Sequence, residues 1–105
     1  MAFKLRLVQR FQAANRAEFL ELEHQFAELE RRHDDFPKGK RYLPFSGREP
    51  LNTLIWECEF ETLAEVQQAL AFFEGDHRHE ELAKRQLPYF QDAHTEIYET
   101  LEGDR

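Results

Sequence analysis

Asn52 to Glu65 runs from a strand directly into a helix, and no other stretch limits the fold as tightly. Leu54, Trp56, Cys58 and Phe60 alternate with Thr53, Ile55, Glu57 and Glu59. That period of two gives a strand at about Thr53 to Phe60, with one apolar and one largely charged face. Thr62-Leu-Ala-Glu65 then has the spacing of a capping box, in which the Thr and Glu side chains satisfy two free N–H groups of a new helix. This helix turns Leu63, Val66, Leu70 and Phe73 inward and stops at Gly75.

The flanking sequence supplies the other elements. Phe3 to Arg10 alternates Phe3, Leu5 and Leu7 against Lys4, Arg6 and Val8, a first strand. Asn15-Arg-Ala-Glu18 predicts a second helix start, with Asn15 as N-cap and Glu18 reaching back. Phe19, Leu22, Phe26 and Leu29 form its apolar stripe, and it fades near His33 to Asp35, ahead of Pro37. Lys40 to Phe45 reads as a short strand that Pro44 confines to a sheet edge, followed by a turn at Ser46 to Pro50. Asp76 caps a further short helix limited by Pro88; Thr95 to Leu101 forms the last strand, and Glu102 to Arg105 a frayed tail.

The order β-α-β-β-α-β is the ferredoxin-like split βαβ pattern. It predicts an α+β fold in one domain spanning residues 1–105: a four-stranded antiparallel sheet with both helices on one face. Leu5, Leu7, Leu54 and Trp56 lie under the helices. Lys4, Arg6 and Val8 lie on the other face beside Thr53, Ile55, Glu57 and Glu59. Ten phenylalanines in 105 residues must find burial in this core or against a partner.

A net charge of −7, with cations clustered only at Arg31-Arg32 and Lys38 to Arg41, argues against nucleic acid as a partner. Cys58 is the only cysteine, so an intramolecular disulfide and a cysteine-rich metal site are excluded, and its register puts it in the core. There is no apolar leader and no long apolar run, so no membrane span is expected and a cytoplasmic location is.

Thr53 to Glu65 resembles the third-strand-to-helix segment of NIPSNAP-type proteins, and His94-Thr-Glu-Ile-Tyr98 resembles their closing strand. Those proteins belong to the dimeric α+β barrel superfamily. The resemblance implies a homodimer whose sheets pack face to face, and it leaves function open, since the superfamily spans cofactor-free monooxygenases, haem-degrading enzymes and proteins without assigned chemistry. The haem-degrading members use an Asn on the first strand, a Trp, and a His on the second helix. This chain has no such Asn, and His77 and His79 follow the helix that ends at Gly75. Haem is therefore not expected, nor is any other cofactor.

Of the remaining side chains, Arg6, Glu57 and Glu59 on the charged face are the candidate binding residues, with Tyr42 and Tyr98 adding hydroxyls. The competing reading is that these charges set a dimer register or sit in water. His77 and His79 are two residues apart and point in different directions on a helix, so they read as a solvated helix start, with no metal site. His24 reads as a boundary residue, and His94 lies before the last strand. The function expected is a small homodimeric protein that binds a small molecule or serves as an interaction module. The alternative is a cofactor-independent, monooxygenase-like enzyme acting on a small apolar or aromatic substrate at the charged face.

Overall fold

The structure, a computed structural model describing residues 2–101, has β1 at Phe3–Phe11, α1 at Arg16–Arg32, β2 at Lys40–Tyr42 and β3 at Thr53–Phe60. It continues with α2 at Leu63–Gly75, α3 at His77–Gln86 and β4 at Phe90–Glu99. The tail expected at Glu102 to Arg105 lies outside the described residues. The strand order is β2-β3-β1-β4 and every pairing is antiparallel. This is the ferredoxin-like sheet that alternation and capping predict.

Register sorts the side chains. Leu5 lies opposite Cys58 and Leu7 opposite Trp56 on the face that meets the helices, while Lys4 lies opposite Glu59 and Arg6 opposite Glu57 on the other. Val66 and Ala69 of α2 pack on Leu5 and Trp56. Phe19 of α1 stacks on Phe11, ring centroids 4.6 Å apart, and packs against Leu54. Leu82 of α3 closes on Leu22 and Phe26. Each fully buried side chain of this kind contributes roughly 1.5–3 kcal/mol, so helix placement follows from where apolar area can leave water.

Both later helix starts form as their residues dictate. Thr62 Oγ1 accepts from the Glu65 N–H while the Glu65 carboxylate accepts from the Thr62 N–H, and the Asp76 carboxylate accepts from the His79 N–H. The first helix start differs from expectation. A 3-10 turn at Ala13–Asn15 leads straight into α1, so the Asn15 side chain makes no cap. The turn already supplies the chain reversal that a cap residue would have made.

Three further expectations are corrected. The strand at Lys40 to Phe45 stops at Tyr42, because Pro44 has no N–H for a ladder. Leu63 is exposed at the first turn of α2, and Ala69 takes the inward place beside Val66. The last strand begins at Phe90 rather than Thr95, since a 3-10 turn at Leu87–Tyr89 delivers the chain to the sheet early and β1 is long enough to pair with all of it. Among the described residues no helix is long and apolar enough to cross a membrane.

Candidate functional site

The charged face of the sheet is ordered by register. Lys40, Glu57, Arg6 and Glu96 form one row across the four strands, alternating in sign. Arg6 Nε donates to Glu57 at 2.8 Å, and its Nη1 donates to Glu96 at 3.0 Å and to the Tyr98 hydroxyl at 3.2 Å. Burial works against the Arg6 charge, but the Tyr98 and Glu57 hydrogen bonds outweigh it and raise its pKa. Hydrogen bonds from Tyr98 and His94 hold the Glu96 carboxylate below the usual range.

Three of the candidate binding residues share another feature. Tyr42, Glu57 and Glu59 line an open depression of about 360 Å3 together with Lys4 and Lys40. It forms because the last pair between β2 and β3 joins Lys40 and Glu57, leaving the β3 edge beyond it without a neighbour. The structure therefore brings Arg6, Glu57 and Tyr98 into one network and Tyr42, Glu57 and Glu59 into one depression. Val8 and Ile55, on the same face, are already buried between the cross-strand neighbours Tyr42 and His94.

The opposite side of the sheet holds a second cluster. Between the sheet and the helices lies a cavity of about 120 Å3 whose wall combines Phe26, Phe36, Phe73 and Trp56 with Glu23, Glu30, Arg41, His79 and Gln86. Arg41 Nε donates to Glu23 at 2.6 Å, and Nη2 and Nη1 donate to Glu30 at 2.5 and 3.2 Å. Gln86 Nε2 donates to the other Glu23 oxygen at 2.9 Å. Burial disfavours the Arg41 charge, yet the hydrogen bonds and charges of Glu30 and Glu23 raise its pKa. Two carboxylates against one guanidinium leave the cluster with an excess negative charge.

His79 lies between the rings of Phe26 and Phe73, at centroid distances of 5.0 and 4.9 Å. Burial lowers its pKa, with Asp76 and Glu30 pulling the other way, so the balance favours the neutral imidazole. Trp56 is only 3% exposed and its indole Nε1–H has no hydrogen-bond partner; Gln9 Oε1, on the same wall, has none either. An unpaired buried donor costs on the order of 1–3 kcal/mol, which makes it an exception that calls for a cause.

From the sequence alone His79 falls on a wet helix face and Trp56 in the core, and Glu23, Glu30 and Arg41 have no part in a site. Trp56 is buried as expected but borders a cavity. The solvated reading of His79 is corrected, because His79, Leu82 and Gln86 share one face of α3 at helical spacing, and that face packs on α1. A signal for the acids was present: Glu23 and Glu30 fall at the spacing of the Phe19–Phe26 stripe and interrupt it. Cys58 is half-buried, its Sγ donates to the Lys38 carbonyl at 3.2 Å, and burial with the charges of Glu30 and Glu59 raises its pKa, which makes it a poor nucleophile.

No protein-family model matches the chain, and no curated protein matches it in sequence. Solved structures do. A NIPSNAP family protein from Agrobacterium tumefaciens superposes with a TM-score of 0.80 at 12% identity, covering 98% of this chain and 96% of that one. An uncharacterized NIPSNAP domain protein from Burkholderia xenovorans gives 0.76 at 16% identity, over 98% and 97%. A putative antibiotic biosynthesis monooxygenase from Nitrosomonas europaea gives 0.66 at 13% identity, over 97% and 92%. At such identities the likeness is one of fold. It agrees with the NIPSNAP resemblance carried by Thr53 to Glu65.

Proposed function

We propose that the chain is a single-domain, homodimeric protein that binds a small molecule in the cavity between its sheet and helices. The observation that carries this is a cavity of about 120 Å3 whose wall combines the rings of Phe26, Phe36, Phe73 and Trp56 with the charged cluster of Glu23, Glu30 and Arg41.

A second copy is the partner that suits the charged face. The row Lys40, Glu57, Arg6, Glu96 alternates in sign. Turned over about an axis parallel to the strands, it sets each cation against a carboxylate, as a two-fold interface requires. Half-exposed Tyr42 and Tyr98 lie on the same face as that row, and Phe45, 96% exposed, follows β2. In this arrangement Arg6, Glu57, Glu59, Tyr42 and Tyr98 bind across the seam between copies. The unpaired thiol of Cys58 suits a reducing cytoplasm.

Native mass spectrometry of the purified protein reads both parts. A dimer mass with an added small molecule is the expected result, and a bare monomer at micromolar concentration contradicts both. Phe45→Glu, at a position with no core role, is expected to shift the dimer toward monomer.

A second reading is a cofactor-independent, monooxygenase-like enzyme for a small aromatic substrate. The aromatic cavity wall beside a neutral His79 favours it, as does the fold shared with the Nitrosomonas protein. Oxygen consumption on adding small phenols, lost in His79→Phe, supports this reading; no consumption with any phenol leaves the binding protein.

A further inference from the structure

We infer that the cavity ligand is a small organic cation, an inference that rests on the reading of the cavity as a ligand site. Two features of the wall select this class, and its volume sets the size.

Charge comes first. Among the described residues Arg41 is the only guanidinium on the wall, and Glu23 and Glu30 occupy its Nε, Nη1 and Nη2. An anion therefore finds no free cation and meets an excess carboxylate charge. A cation meets charge of the opposite sign, carried by two largely buried carboxylates.

The ring faces come second. Phe26, Phe36, Phe73 and Trp56 all border the cavity. Aromatic faces carry negative potential and attract ammonium groups, most strongly where water is excluded. Phe73 stands edge-on to Trp56 at 5.5 Å.

Volume sets the scale: a cavity of about 150 Å3 admits benzene, so the 120 Å3 found here suits roughly half a dozen non-hydrogen atoms.

The probes are choline, its neutral carbon isostere 3,3-dimethylbutan-1-ol, and the anion 3,3-dimethylbutanoate. Each is titrated into the 15N-labelled full-length protein. Trp56 is the only tryptophan, so its indole Nε1–H gives a single reporter resonance. Choline is expected to move that resonance and to bind at least roughly tenfold more tightly than the neutral isostere, with no binding of the anion. Glu30→Gln, or Glu23→Gln where the first variant melts early, is expected to remove most of choline's advantage and leave the neutral probe unchanged. Equal or tighter binding of the neutral isostere or the anion overturns the cation class while leaving the cavity as a ligand site. No binding of any probe, with the indole resonance unmoved, overturns the ligand site and this inference together.

Discussion

Gly39 lies directly against Trp56: a Cβ at Gly39 would sit 2.1 Å from the indole Cε2 and 2.3 Å from Nε1. The approach fixes the segment between α1 and β2 over the ring that borders the cavity. The indole has little room to retreat, because Phe73 meets it on edge and Leu5, Val66 and Ala69 complete the packing.

Gly39→Ala is therefore expected to lose about 1–3 kcal/mol of stability, the usual cost of overpacking a filled site. Urea denaturation followed by Trp56 fluorescence measures it. An unchanged midpoint would show that the segment moves aside freely.

Arg41→Met is expected to cost about 3–5 kcal/mol, because it leaves Glu23 and Glu30 buried without their counter-charge. Replacing all three residues with methionine should recover most of that loss. The comparison of midpoints separates the cost of an orphaned charge from the worth of the pair, and a triple variant no better than the single would contradict this account.

His79 makes stability depend on pH. Burial lowers its pKa beneath the ordinary value of 6.5. Between the folded and unfolded values the unfolded chain binds more protons, so stability rises with pH across that window. The contribution is present above about pH 6.5 and is lost as pH falls toward the folded value. His79→Phe is expected to flatten the change in melting temperature between about pH 7 and 5; an unaltered slope in the variant assigns the dependence elsewhere.

Asp76 acts in the same sense over a more acidic range. Its hydrogen bonds from Arg78 and the His79 N–H pull its pKa down to about 2. A lowered carboxylate pKa stabilises the fold above the unfolded value of about 4, and that stability is lost as pH falls toward 2. Asp76→Ala should cost about 0.5–2 kcal/mol at neutral pH through loss of the α3 cap. Asp76→Asn keeps a cap acceptor, so it should cost less at neutral pH and weaken the acid-limb dependence. Thermal melts from about pH 6 to 2 test both.

Much of the scaffold was legible from local chemistry. The alternation in Thr53 to Phe60 set which side of β3 meets the helices, and Thr62 with Glu65 set where α2 begins, because both effects act between residues a few positions apart. Two departures have different causes: the Asn15 cap gives way to a 3-10 turn of its own neighbours, Ala13–Asn15, whereas β4 begins early because β1, distant in sequence, offers it partners as far as Phe11.

The site divides in the same way. The charged face follows from period-two alternation, so Arg6, Glu57 and Glu59 could be assigned to it from the chain alone; that Glu96 joins Arg6 required the pairing of β1 with β4. The cavity belongs to tertiary structure. Glu23, Arg41, Gln86 and Trp56 come from four elements, and their shared burial exists only once α1 and α3 have closed over the sheet. Spacing along the chain tells which face a side chain occupies. What that face meets, and whether a charge or an indole N–H there is satisfied, depends on groups that only folding brings within hydrogen-bond range.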